Sequence, residues 1–263
     1  MHVGDFDPAH LHIKDPDPEG RYILSTRIRV GRNLEGYPLG AAISRQMRDE
    51  VARRIVAVLE RLEGDLAGHY YPLAGMSEED RASLVADHFL FKAGDRFLES
   101  AGLNRDWPER RGIYHNDAKT FLVWVNEEDQ LRIISMQKGS DIAAVFARLA
   151  SGVGVLEREL GFLQSPHLGY ITSCPTNLGT AMRASVHIRL PHLAKDRALF
   201  EAICDAHHLQ IRGVHGEHSE SEGGVFDISN RRRLGVSEVQ CVRDLAEGVA
   251  ALIGQEEALA RDN

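Results

Sequence analysis

Cysteine is scarce in this chain: only Cys174, Cys204 and Cys241 occur in 263 residues, widely spaced and with no CxxC pair. That spacing argues against a disulfide framework or a zinc ribbon and fits a reducing cytoplasm. Net positive charge is lacking too. Lys and Arg number 31 against 39 Asp and Glu, a formal charge of -8, so general attraction to nucleic acid or to an anionic membrane is not expected. No apolar run approaches the length of a membrane span, and the N-terminus MHVGDFDPAHLH has no basic region followed by an apolar core. His2, His10 and His12 lie there without acidic or cysteine ligands at a matching spacing, so residues 1–19 read as a flexible extension rather than a metal site. Phosphate loops are missing as well: there is no GxxxxGK[ST], and Gly152-Val153-Gly154 falls in a helical pattern without the third glycine of a dinucleotide motif.

What is present is enough apolar residue, 43% of the chain, to build a sizeable core. In 22-YILSTRIRV-30, Tyr22, Leu24, Thr26, Ile28 and Val30 alternate with Ile23, Ser25, Arg27 and Arg29, the period of a strand. A helix is predicted from Ser44, with Met47, Val51, Ile55, Val58 and Leu62 on one stripe and Gly64 placed to end it. The pair Ser77 and Asp80 is a capping box opening a second helix that carries Leu84, Val85 and His88. The runs 120-TFLVWVN-126 and 131-LRIISMQ-137 flank a short polar turn and predict a hairpin with Glu128 at its tip and Arg132 beside it. Ser140 then precedes a helical stripe of Ile142, Val145, Phe146, Leu149, Val153, Leu156 and Leu160. In 182-MRASVHIRL-190, Met182, Ala184, Val186, Ile188 and Leu190 share one face, and Arg183, Ser185, His187 and Arg189 the other. A helix over 195–208, a strand 209–214, a glycine-flanked loop 215-HGEHSESEGG-224, a strand 225–229 and a last helix from Ser237 complete the chain. Neighbouring strands read as antiparallel without regular β-α alternation. The expected class is α+β, a large antiparallel sheet flanked by helices.

A strand face bearing arginine and histidine needs a partner, because an unpaired charge is costly to take out of water. Arg27, Arg29, Arg132, Arg183 and Arg212 all fall on or beside strands. By spacing alone, they fit either surface ion pairs or convergence on a polyphosphate. The runs STRIRVGRN, RGIYHNDAKTFLVWVNEEDQLRIISMQKG, CPTNLGTAMRASVHI and RGVHGEHSESEGGVFDISN resemble the phosphagen (ATP:guanidino) kinases, and within them the arginine kinases. The resemblance runs from about Gly20 to the last helix.

That resemblance implies reversible transfer of the γ-phosphoryl group of Mg-ATP to a guanidino nitrogen, on a sheet of the glutamine synthetase-like type. It assigns the five arginines to nucleotide phosphate, His88 and His187 to the adenine site, and Ser25 and Ser185 to nucleotide binding. Glu128 resembles the family's catalytic carboxylate, Glu217 the second carboxylate aimed at the guanidinium, and Cys174 the reactive cysteine, with Ser173 and Thr176 as neighbours able to hydrogen-bond its thiolate. Two carboxylates suit a planar cation, which they pair bidentately and orient. Cofactors implied are ATP/ADP and Mg2+, with no protein cage for the metal; the partner implied is a small guanidino substrate, with arginine favoured over creatine because Glu217 is present. No nucleic acid or membrane partner is expected. Cys204 and Cys241 read as core residues, while His69, His215 and His218 stay undecided between a structural and a functional role, with the structural reading ahead. The family carries a small helical N-terminal domain, and residues 20–263 match its catalytic domain alone. Two other readings stand beside this one, a protein-arginine kinase and a nucleotide-binding regulator.

Overall fold

The computed structural model describes residues 4–91, 99–212 and 223–261. Its main sheet has eight strands in the order β2-β3-β4-β5-β1-β8-β10-β9, where β1 is Ile23–Arg32, β2 Gly68–Pro72, β3 Gly112–Asn116, β4 Phe121–Val125, β5 Leu131–Lys138, β8 Met182–Arg189, β9 Leu209–Arg212 and β10 Val225–Asn230. A separate two-stranded pair joins β6 (Gln164–Ser165) to β7 (Gly169–Tyr170). The pairs β2/β3, β3/β4, β4/β5, β8/β10 and β10/β9 are all antiparallel. Five helices accompany them among the described residues: α1 (Arg45–Leu59), α2 (Glu78–Ala86), α3 (Ile142–Leu160), α4 (Arg197–Ala206) and α5 (Glu238–Arg261). The chain divides into two compact units, one of Met1–Ile28, Met136–Ala147 and Met182–Asn263, the other of Arg29–Ser135 and Arg148–Ala181.

In the first unit, α4 packs against β9, while α5 packs against β8, β9 and β10. The period-two reading of β8 holds: Met182, Ala184, Val186, Ile188 and Leu190 are all fully buried. Cys204 and Cys241 are buried with them. The strand β1 departs from its pattern at the start. Thr26 and Ile28 are buried, but so is Ile23, while Leu24 is 43% exposed. The reason is Asp17, whose buried carboxylate accepts the N–H groups of Arg21, Tyr22 and Ile23 at 3.0, 2.8 and 2.7 Å and anchors that end of the strand. The segment before Gly20, where the sequence predicts a flexible extension, makes contacts of its own. Leu11 is buried, Phe6 stacks on Phe146 with ring centroids 5.9 Å apart, and the Gly4 N–H donates to the Glu238 carboxylate at 2.8 Å.

In the second unit, β4 is buried along its whole length. The helix α1 starts as predicted, Ser44 accepting from the Met47 N–H at 3.2 Å, but it stops at Leu59, and Met47 is exposed while Arg48 takes a buried position. The Arg48 guanidinium donates to the Arg105 carbonyl, which makes that burial tolerable. Ser77 caps α2 as predicted, yet none of the nine residues of α2 is buried, Leu84 and Val85 included. The helix α3 divides between the two units after Ala147, and its stripe is buried from Ile142 to Leu160. Its cap is Asp141, accepting from the Ala144 N–H at 2.9 Å, because Ser140 gives its hydroxyl to the Asp17 carbonyl at 2.8 Å. No helix among the described residues is long and apolar enough to cross a membrane.

Candidate active site

Two polar clusters stand out, one in each unit. In the first, β8, β10 and β9 lie side by side, and their registers pair His187 with Asp227 and Asp227 with Arg212. One row across three strands therefore carries an imidazole, a carboxylate and a guanidinium. Arg183, four residues before His187 on the same face, donates from Nη2 to Asp227 Oδ2 at 2.6 Å, both side chains being mostly buried. Ser185 is buried one row along, opposite Ser229. Ser25 and Arg27, half-buried, occupy the alternate positions of β1. Asp227 is a residue the sequence reading missed, although its place in VFDIS alternates with the apolar Phe226 and Ile228 in the way a polar-face residue must.

In the second unit the hairpin of β4 and β5 turns through Asn126–Gln130. Asn126 sits at φ 58° and donates its side-chain amide to the carbonyls of Arg48 and Arg110. This strained corner is pinned, and it delivers Glu127, Glu128 and Asp129 in succession. Arg132 Nη2 lies 2.7 Å from Glu128 Oε2 and 3.2 Å from Glu127 Oε2, with its guanidinium 5.6 Å from the Trp124 ring centroid. A turn of this composition is normally solvated, but here the side chains of Glu127, Glu128 and Arg132 are only 11%, 18% and 13% exposed. Burial raises the Glu128 pKa above the ordinary glutamate value, and Arg132 offsets that only in part. Burial works against the Arg132 charge as well, yet Glu127 and Glu128 more than compensate and hold its pKa above the usual value.

Asp129 ties this turn to the segment bearing Cys174. Its Oδ1 accepts from Asn33 Nδ2 at 2.8 Å and from the Ser173 N–H at 2.7 Å, and the Ser173 hydroxyl donates to the Glu128 carbonyl at 2.9 Å. Gly31 is required beside it, since a Cβ there would meet Asp129 Oδ2 at 2.8 Å. Cys174 Sγ is 3.0 Å from Thr176 Oγ1, as the sequence reading allowed. Ser173 is not a second donor to the thiol, because its hydroxyl is spent on the Glu128 carbonyl. Cys174 is partly exposed, whereas Cys204 and Cys241 are buried, and burial pushes the Cys204 thiol up to about 12. Iodoacetamide should therefore label Cys174 first. Mass spectrometry of the labelled peptides checks this, and earlier labelling of Cys204 or Cys241 would contradict the burial order.

Of the remaining predicted residues, Arg29 lies half-buried on β1, and Arg212 likewise on β9. His88 follows α2 in the left-handed region at φ 60° and is exposed. Glu217, His215 and His218 lie outside the described residues. Among the described residues, no group of three or more His, Cys, Asp or Glu could hold a metal ion.

An antiparallel sheet of this order, lined by arginines and flanked by helices, is the architecture of the guanidino kinases. It superimposes on the duplicated taurocyamine kinase from Schistosoma mansoni with bound transition state analog components at a TM-score of 0.90 and 50% identity, covering 96% of this chain and 35% of that one. It superimposes on lombricine kinase at a TM-score of 0.93 and 41% identity, covering 100% of this chain and 73% of that one. The chain belongs to the ATP:guanido phosphotransferase family, whose C-terminal catalytic domain it matches over residues 50–259. Its relatives include arginine kinase from Anthopleura japonica, 60% identical over 264 residues, and arginine kinase from Limulus polyphemus, 54% identical over 248 residues. The chain spans 37% of the length of the first and 70% of the second.

Proposed function

We propose that this protein transfers the γ-phosphoryl group of ATP reversibly to a guanidino nitrogen, with free L-arginine as the acceptor, in the cytoplasm. The observation that carries this reading is the buried acidic turn. Glu127, Glu128 and Asp129 are held by specific bonds out of bulk water, with Arg132 paired to the first two. Such an arrangement suits a planar cation, which Glu128 would orient and deprotonate at the attacking nitrogen. The arginine, serine and histidine face of β8 and its neighbours supplies the forked donors that nucleotide phosphates need. Mg2+ fits phosphate oxygens and water better than a protein cage, since the described residues offer none; bound there, it would neutralise the charge that develops on the phosphates. Glu217 is assigned as the second carboxylate from its sequence motif, and residues 20–263 as the catalytic domain. The arginine kinases among the relatives favour arginine as acceptor.

The test is incubation with Mg-ATP and, separately, free arginine, creatine, other guanidines and an arginine-rich protein, followed by measurement of ADP and acid-labile phosphate. Turnover is expected with free arginine. Glu128-dependent phosphorylation of the protein alone would replace this reading with a protein-arginine kinase. ATP binding with no acceptor reacting would replace it with a regulator.

A further inference from the structure

A cleft of about 700 Å³ lies in the second unit between α2, the edge strand β2 and its neighbour β3, with no residue of the acidic turn in its lining. That volume is within the range of small-molecule sites. Its floor is a stacked pair of rings: Tyr71 and His115 have centroids 4.7 Å apart and planes inclined by 18°. Tyr71 is 39% exposed, so a large flat surface is left in water. Pro72, Met76 and Leu84 add apolar walls, and α2 faces the space without burying any of its residues. A short helix ordinarily gains its stability from a buried face. Here that face is turned to an open cleft.

The polar groups of the cleft differ in how far they are already engaged. Asp80 Oδ2 is held by the Ser77 hydroxyl at 2.7 Å. Burial lowers the His115 pKa, with Lys119 adding to the effect, so the ring is a neutral flat surface at neutral pH. Lys119 has its ammonium over the Phe89 ring at 5.7 Å and forms no ion pair among the described residues. The cleft thus offers an aromatic floor, apolar walls and, at Lys119, a cation that no carboxylate pairs with among the described residues. We propose that it binds a small planar aromatic carboxylate, the ring against Tyr71 and the carboxylate at Lys119. This site is separate in its residues from both clusters assigned to phosphoryl transfer, and its occupancy does not depend on that assignment.

The probe is 2-naphthoate, titrated into the full chain with and without saturating Mg-ADP and followed by naphthalene fluorescence. Saturable binding at one site is expected, unchanged by Mg-ADP. Tyr71→Ala should weaken it about fivefold through loss of the stacked ring. Lys119→Gln, or use of the neutral 2-naphthamide with the parent protein, should weaken it about tenfold through loss of the charged hydrogen bond. Ser83→Trp, at an exposed helix position lining the cleft, should abolish it by filling the space. Thermal melts check that each variant folds; if Tyr71→Ala does not, the other two variants and the amide decide. Absence of saturable binding, displacement by Mg-ADP, or equal affinity in the parent, Lys119→Gln and Ser83→Trp would overturn the proposal.

Discussion

Glu128→Gln should lose phosphoryl transfer by roughly 10²–10⁴-fold while keeping nucleotide affinity, because the amide preserves shape and removes the charge that orients and accepts from the guanidinium. The same substitution has an expected effect on stability that runs the other way. Burial raises the folded-state pKa of Glu128, so folding favours the neutral carboxyl. That contribution is complete below the ordinary glutamate pKa and is lost as pH rises through the raised value. At neutral pH the ionised Glu128 is therefore held at a cost, which the glutamine removes, and Arg132 keeps Glu127 at 3.2 Å as a partner. The melting temperature of the variant at pH 7 should equal or exceed that of the parent, with the difference vanishing as pH falls and the parent carboxyl takes its proton. Activity of the parent should fall over the same acid range. Turnover like the parent's would remove Glu128 from the chemistry, and a marked drop in melting temperature at pH 7 would show that the Arg132 pair outweighs the burial cost.

Arg183→Ala should weaken ADP binding and reduce turnover further still, by about 10³-fold, since an arginine on a transferring phosphoryl group contributes most in the transition state. The variant also strands Asp227, whose carboxylate is 2.6 Å from Arg183 and only 15% exposed. Removing one partner of such a pair destabilises by leaving a charge uncompensated. The double variant Arg183→Ala/Asp227→Ala separates the two effects. It should recover much of the lost melting temperature and none of the lost turnover. Calorimetry with ADP and an initial-rate assay make the comparison; unchanged ADP affinity in Arg183→Ala would show that this strand face does not hold the nucleotide.

Local signals carried much of the architecture. The alternation in 182–190 predicts a buried face that the structure places wholly in the core, and the caps at Ser44 and Ser77 start their helices as read. These features depend on neighbours a few residues away, where sidedness and hydrogen-bond reach follow from backbone geometry. The larger misses concern how segments meet in the tertiary structure. Asp17 reverses the expected sidedness at the start of β1, Ser140 gives up its cap to the Asp17 carbonyl 123 residues away, and α2, correctly begun, buries none of its nine residues.

For the candidate site the division is similar. The sequence by itself determined that a hairpin would present Glu128 beside Arg132 and that arginine and histidine would share one face of β8, because both statements need only periodicity and a turn. The tertiary structure alone decided that Glu128 would be shielded from water, and that Asp129 would reach Asn33 and Ser173, 96 and 44 residues away, to bind the acidic turn to the Cys174 segment. It also decided that Asp227 would hold Arg183 across the sheet. Burial and ion pairing are properties of how separate strands are brought together, and no local pattern encodes how deeply a carboxylate will be covered or which distant group will meet it.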